Sequence, residues 1–431
     1  MAKPKLCLIP AAQGSKLYSV LPSSGVGDFD FTRSGSATRI NSKGLIETVA
    51  SGVSRLNYPM IDGVVKGCPH HILEPQSLNS QTNSEDLTVV SSYLLGAVSI
   101  SSNQIISPDG TLNADKLVEL NTNARHELYG KSLSFNGTTS VSFFAKAAER
   151  RYISVFIGGN PALGGATFDV QDGLITLSSG GTDANIVNYG NGWYKCSFTS
   201  TMSLVRNVYY CLRDNGNAVD VQTYQGDGTS GMYLWGFQTE IGKSYPTSYI
   251  PTTSAAVTRS DETANGSGSA ATFSDSEGVL YIETNILSDD GATKTINLVN
   301  SSNPDNRLSL NYRTELGRIQ MFLNYTGATA TNISIYNVDK TNYNKIVVKY
   351  KNNDMALWFN GFELATSNTG TTSSSIGFNN IEFSRTGSDL FYGNTKQIQY
   401  YDSALNDSEL EKLTSWVSFQ DMAEGQLYTI E

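Results

Sequence analysis

The stretch KIVVKYKNNDMALWFNGFEL, Lys345–Leu364, decides the fold. Lys345–Lys351 and Met355–Phe359 are apolar-rich runs of strand length, and Asn360-Gly361 supplies the two positive φ angles of a tight hairpin before Glu363 and Leu364. The same grammar recurs outward along the chain. Val141, Phe143 and Ala145 alternate with Ser142, Phe144 and Lys146, and further strands are expected at Tyr152–Ile157, Trp193–Phe198, Val208–Arg213 and Met232–Glu240. Others follow at Val279–Ile286, Arg307–Tyr312 and Ile319–Tyr325, while Asn136-Gly137 and Asn191-Gly192 read as further hairpin turns. Helical periodicity is nearly absent. One helix is expected late, capped by Asn406 with Glu409 closing a capping box and Leu405 stapled on Leu410, ending near Ser415 or Trp416. Short alternating runs between turn signals predict an all-β chain of two tandem antiparallel β-sandwiches of jelly-roll or concanavalin-like type.

At 431 residues the chain exceeds the roughly 250 to 300 at which a single core stops growing, so two or three domains are expected. Residues 1–75 carry Gly, Ser and Pro punctuation and spaced arginines with few apolar runs, and predict an extended segment that wraps over a partner. Residues 76–257 form the first sandwich. The polar run TRSDETANGSGSAATFS opens a linker over 258–275, the second sandwich spans 276–416, and 417–431 is a C-terminal tail.

The net charge of −10 argues against a nucleic-acid partner or an anionic membrane surface, since either needs a basic face. No run approaches the roughly 20 apolar residues of a membrane span, and Met1–Gly14 lacks the pattern of an export signal. Cys7, Cys68, Cys196 and Cys211 are scattered without a C-x-x-C pair, which suggests neither a disulfide framework nor a zinc cage.

Catalytic constellations are poor. His70 and His71 are neighbours that point to opposite sides of an extended chain, His126 is remote, and H-E-x-x-H and G-x-S-x-G are missing. Gly242-Lys243-Ser244 lacks the upstream glycine of a phosphate loop, because position 237 is Phe237. A pair of carboxylates for glycoside hydrolysis leaves no spacing rule, but no fixed-period repeat of a β-helical depolymerase is present. No enzyme activity and no cofactor are expected. Calcium is the one ion with candidates, at Asp289-Asp290-Gly291 and Asp214-Asn215-Gly216, where polar turns explain the residues equally well.

Sugar binding needs aromatic platforms with polar partners around them, and Trp193 and Trp358 are the candidates. Either could equally be core. Tyr233, Trp235 and Phe237 fall on one strand face by alternation, which makes Trp235 a core residue.

Three stretches resemble tailed-bacteriophage virion proteins. FDFTRSGSATRINSKGLIETVASGVSRLNYP (Phe29–Pro59) with ILEPQSLN (Ile72–Asn79) is similar to a module of fibre and other virion proteins. Downstream, SPDGTLNADKL (Ser107–Leu117), VSFFAKA (Val141–Ala147), GNGWYKCSFT (Gly190–Thr199) and Tyr233–Arg259 resemble a carbohydrate-binding-module jelly roll. Lys345–Leu364 and IQYYDSALNDSELEKLTSW (Ile398–Trp416) resemble a laminin-G or concanavalin-like domain. The resemblance implies a head or tail fibre or decoration protein at the particle surface, made in the bacterial cytoplasm. It implies docking on other virion proteins through Phe31, Arg33, Arg39 and Arg55, self-association as a homotrimer with a dimer as alternative, and contact with host surface glycans. A connector without sugar binding and a glycan depolymerase are the alternatives.

Overall fold

A computed structural model of the chain describes residues 2–158, 163–217, 222–315, 317–385 and 387–426. The expected all-β architecture is present. The first sandwich pairs two six-stranded antiparallel sheets. The front sheet runs Tyr93–Gly96, Glu127–Gly130, Val208–Arg213, Tyr152–Ile157, Gly165–Asp169 and Leu174–Ser179 in spatial order. The back sheet runs Val98–Ile106, Leu112–Glu119, Gly231–Ile241, Leu133–Ala147, Trp193–Arg206 and Asp183–Asn188. Between them alternate side chains close a core in which Phe143 meets Tyr210 at 5.2 Å and Tyr210 meets Phe237 at 4.6 Å, both edge to face.

The second sandwich sets a five-stranded sheet against a much larger one. Asn360 and Gly361, at φ 49° and 92°, turn the hairpin between Met355–Phe359 and Phe362–Ser367 as the sequence predicts. Helix α1, Asp407–Thr414, carries the full Asn406–Glu409 capping box and buries Leu410 against Leu405 and the outer face of the large sheet.

Several local expectations need correcting. Asn136-Gly137 does not turn: the strand Leu133–Ala147 runs straight through it, paired in unbroken register with Trp193–Arg206, and Gly137 alone takes a positive φ. Gly236, at φ 67°, lies at a bulge that breaks alternation, so Trp235 packs on the outer face while Phe237 enters the core. A second helix, α2 (Phe419–Gln426), occupies the expected tail, whose residues 427–431 lie outside the described ones.

The larger correction concerns the N-terminal segment. Leu6–Gln13 pairs with Gly393–Tyr401 in the heart of the large sheet, and Lys16–Leu21, Phe29–Thr32 and Thr263–Asn265 extend that sheet in turn. Leu6, Leu8, Leu17, Phe29 and Phe31 therefore belong to the core of the second sandwich. Farther on, the hairpin of Ala37–Ile40 and Ile46–Val49 lays Ile46 on the back sheet of the first sandwich. The partner that the segment wraps is its own chain. The stretch expected to be a flexible linker is likewise pinned, with Val257–Arg259 paired to Ser77–Asn79 and Arg259 and Glu262 fully buried.

A buried charge network closes this bracket. Glu262 receives Arg33 Nη1 at 2.8 Å and Arg55 Nε at 2.8 Å, and Arg55 Nη2 also reaches both Glu262 Oε2 and, at 2.7 Å, Glu74 Oε2. Arg259 Nη1 lies 2.9 Å from Glu74, and Ser248 donates to the same carboxylate through its amide and its hydroxyl. Other guanidinium protons go to backbone carbonyls of Thr38, Ala50 and Pro75, while the buried Arg259 Nε has no partner among the described residues. Burial alone would push the Glu74 carboxyl up, but Arg259 and Arg55 outweigh it and hold it down at about 2. Burial likewise opposes the charge on Arg55, and Glu262 and Glu74 overcome that and raise its affinity for the proton.

Removing one partner leaves charge stranded in a dry site. Glu262→Gln is expected to destabilise the chain by about 3 to 5 kcal/mol in denaturant unfolding, a breadth typical of broken buried pairs. A loss under about 1 kcal/mol, the range of an exposed pair, would show the network to be solvated.

The same region predicts acid sensitivity. His70, on the strand His70–Leu73 that joins Gly393–Tyr401, is held at about 3 by burial, Lys396 and His71; burial alone holds His71 at about 3. Both fold neutral but protonate in the unfolded chain near pH 6.5, so their contribution is intact above that pH and drains as pH falls toward 3. Each adds a slope of up to about 1.4 kcal/mol per pH unit. Glu74 adds a further loss between pH 4.5 and about 2. Thermal melts from pH 7 to pH 4 should show a steep decline that becomes shallower in a His70→Gln, His71→Gln double variant.

Candidate glycan-binding face

The two outer faces of the first sandwich are not equivalent. On the back sheet Phe144, Trp193 and Trp235 point outward and are covered by Ile46 of the N-terminal bracket and by Tyr249. Tyr249 itself is fixed by Ser84 Oγ at 2.6 Å from its hydroxyl and by Thr38 Oγ1, which donates to its carbonyl at 2.5 Å. That face is spent on internal packing.

The front sheet presents a different surface. Alternation along Glu127–Gly130, Tyr152–Ile157 and Val208–Arg213 sends Leu128, Ile153, Val155, Tyr210 and Leu212 into the core, and sends Glu127, Tyr129, Tyr152, Ser154, Phe156, Tyr209, Cys211 and Arg213 outward. Register then places Tyr129 beside Tyr209 and Tyr209 beside Phe156. The three rings stack across neighbouring strands, with centroids 5.0 Å and 5.5 Å apart and planes within 22° and 5°. Arg125 lies over the Tyr209 ring at 5.6 Å and pairs with Glu127 at 2.5 Å.

Next to the rings lies a charged and hydroxyl-bearing patch. Arg213 is 4% exposed; its Nε donates to Ser154 Oγ at 3.0 Å and its Nη1 to the Gln222 carbonyl at 3.1 Å. Among the described residues its buried Nη2 has no hydrogen-bond partner and no carboxylate forms an ion pair with it. Ser154 and Thr167 share a hydrogen bond at 2.7 Å. Burial raises the Glu127 carboxyl, with Arg125 pulling against it, and burial pushes the Cys211 thiol up to about 12. Cys211 is therefore a protonated donor to Glu127, at 3.6 Å, and no thiolate nucleophile. Phe156 is fully buried, so the ring surface that faces outward is the half-exposed pair Tyr129 and Tyr209; with a guanidinium and a carboxylate beside them on one outer sheet face, they supply the groups that binding a polyhydroxylated ring requires.

The residues singled out from the sequence lie elsewhere. Trp193 is 3% exposed on the covered back face, donates its Nε1–H to the Ile106 carbonyl at 3.0 Å, and only edges a cleft of about 810 Å³ shared with Lys43, Lys146 and Asn191. Trp358 is 6% exposed beneath α1, packed with Leu405 and Leu410. Neither offers a ring face to a ligand, which corrects the expectation that they are platforms. Phe31 lies in the second core, Arg33 and Arg55 in the buried network, and Arg39 pairs with Glu47 at 3.0 Å across its own hairpin. Phe31, Arg33 and Arg55 thus serve internal joining and are not available as a docking surface.

The sequence reading missed Tyr129, Tyr209 and Arg213. The signal was present in VYYCLR, where Tyr209, Cys211 and Arg213 share a face, but alternation does not tell which face is open. The calcium candidates have protein cations beside them: Lys340 lies 2.8 Å from Asp289 and Lys294 2.5 Å from Asp290, while Asp214 accepts from Asn215. Among the described residues no group of three His, Cys, Asp or Glu gathers as a metal site, and no helix is long and apolar enough to cross a membrane.

Compared by sequence, the chain matches no family description and no curated protein. Solved structures with partial likeness to this chain include the CBM40 module of the Ruminococcus gnavus IT-sialidase bound to α2,3-sialyllactose, at 21% identity over 35% of this chain and 92% of that one, with a TM-score of 0.30. Mouse laminin α1 domains LG4-5 match at 11% identity over 66% of this chain and 89% of theirs, with a TM-score of 0.22. Trypanosoma rangeli sialidase in complex with 2,3-difluorosialic acid matches at 12% identity over 74% of this chain and 61% of that one, with a TM-score of 0.29.

Because Trp358 is core, Trp358→Ala is expected to cost about 3 to 5 kcal/mol of stability, as for other buried aromatics. Chemical denaturation followed by tyrosine and tryptophan emission checks this; an unchanged midpoint would return Trp358 to the surface.

Proposed function

We propose that this chain is a non-catalytic, glycan-binding component of a bacteriophage virion, a head or tail fibre or decoration protein whose front sheet meets host surface sugars. The observation that carries the binding part is the half-exposed tyrosine pair on the front sheet. Tyr129 and Tyr209 form a half-exposed stacked pair backed by the buried Phe156, and Arg213 beside them carries an Nη2 with no acceptor among the described residues. A buried unmade hydrogen bond of a charged donor is costly, and a ligand hydroxyl or carboxylate relieves that cost.

The virion part rests on the resemblance of Phe29–Pro59 and Ile72–Asn79 to phage fibre modules. In this chain those stretches join the two sandwiches, so attachment to other virion proteins uses surfaces other than Phe31, Arg33 and Arg55. A single weak sugar contact gains strength by repetition, which favours a homotrimer, with a dimer as the alternative. Cys211 held as a thiol and Glu127 tied to Arg125 fit adhesion better than bond cleavage.

The test is a glycan array probed with the purified full chain, alongside Tyr209→Ala and Arg213→Gln. Binding to a subset of bacterial surface glycans is expected, weakened at least about tenfold in each variant, the equivalent of one charged hydrogen bond or one stacking contact. An array silent for the parent chain, or binding indifferent to both substitutions, overturns the reading. Light scattering on the chain in solution is expected to give three copies, and a monomer would remove the avidity argument.

A further inference from the structure

Away from the front sheet, a second cleft of about 810 Å³ opens between the two sandwiches. Lys243 and Tyr245 line it from the loop that follows Gly231–Ile241, and Asp389 and Tyr392 line it from the segment that leads into Gly393–Tyr401. Its volume lies within the range of small-ligand pockets, roughly 300 to 1,000 Å³. One ion pair in its wall is internally satisfied: Lys294, 3% exposed, meets Asp290 at 2.5 Å. Ser244 Oγ lies 3.3 Å from Ser288 Oγ, a contact that spans the two sandwiches along the rim.

Four other polar groups are unspent. Among the described residues the side chains of Lys243, Tyr245, Asp389 and Tyr392 make no hydrogen bond and no ion pair, although all four line one cleft and none is fully exposed. Burial lowers the proton affinity of the Lys243 amine and raises both phenols, Tyr392 to about 12, so the phenols are neutral O–H donors at working pH. A cation and an anion that share a cleft without pairing with each other suit neither a simple anion nor a simple cation. They suit a group that accepts from one and donates to the other, which is a hydroxyl. Two phenol rings add apolar surface for the flat face of a sugar ring.

We infer that this inter-sandwich cleft is a second carbohydrate site, distinct from the front sheet, that takes a neutral, hydroxyl-rich oligosaccharide between Lys243, Asp389 and the rings of Tyr245 and Tyr392. Because each sandwich contributes half of it, the ligand bridges the two modules and tightens their junction.

The experiment is saturation-transfer NMR on the full chain with maltotriose, cellotriose and arabinotriose at millimolar concentration, with the parent, Lys243→Met, Asp389→Asn, Tyr392→Phe and Tyr209→Ala. At least one trisaccharide is expected to give ring-proton transfer. That signal should weaken at least about tenfold in apparent affinity in Asp389→Asn and Lys243→Met, each of which removes a charged hydrogen bond. Tyr392→Phe keeps the ring and removes only the hydroxyl, and its unaltered melting midpoint controls for folding. Tyr209→Ala should leave the signal intact, which separates this site from the front face. Silence with all three sugars, a signal indifferent to the cleft substitutions, or a signal lost in Tyr209→Ala overturns the inference, whatever the glycan array shows.

Discussion

Three guanidinium groups and two carboxylates sit together with almost no access to water, and the arrangement of the whole chain turns on them. Arg33 and Arg55 come from the N-terminal bracket, Glu74 from the strand's end before the first sandwich, and Arg259 and Glu262 from the segment between the sandwiches. Taking each ion out of water costs several kcal/mol, and only good geometry with every remaining proton satisfied returns it. Here most of that requirement is met by carbonyls of Thr38, Ala50 and Pro75, and by Thr247, which links Arg259 to the buried Glu240, while Arg259 Nε stays without a partner among the described residues. An apolar plug of equal volume could stabilise such a junction as well, but it would tolerate sliding. Charges in a dry site do not, so the network specifies one relative placement of these three chain segments.

That constraint explains why the N-terminal segment misleads a reader of the sequence. Leu6, Leu8, Leu17, Phe29 and Phe31 are too few and too far apart to suggest a core of their own. They complete one assembled mostly from residues beyond 276. Nothing in local periodicity reveals that a strand near the beginning will pair with Gly393–Tyr401, because register across nearly 400 residues is a tertiary property. The polar run after Arg259 misleads for the opposite reason. Its Gly and Ser residues look flexible, yet Ser267 Oγ donates to the Gly27 carbonyl at 2.7 Å and Ala264 is wholly buried between strands.

What was legible followed local rules. Strands such as Tyr152–Ile157, Arg307–Tyr312 and Met355–Phe359 lie where alternation and turn residues place them, and α1 begins at the residue its capping box names. The candidate site was legible only in kind. Aromatic and charged residues were the right chemistry to seek, but tryptophans drew attention where tyrosines carry the face. A tryptophan is large enough that a sandwich of this size uses it as filler: Trp193 and Trp235 fill the seam beneath the bracket, and Trp358 the space under α1. Tyrosine, with a polar tip on an apolar body, is better suited to a half-wet sheet surface, as Tyr129 and Tyr209 show.

The bracket also decides which surface is left for binding. A two-sheet sandwich has two outer faces, and covering the back one with Ile46 and its hairpin leaves the front sheet as the broad face whose aromatic residues are not enclosed by the chain's own N-terminal segment. The same covering fixes the angle at which the front face stands relative to the second sandwich, since the hairpin that seals one module is continuous with strands built into the other. The front face therefore belongs to a unit of two modules joined without a swivelling tether. Under the proposed adhesive role, such rigid presentation would lower the entropy lost when several copies engage a surface together, so the internal charge network and the stance of the front face follow from one placement.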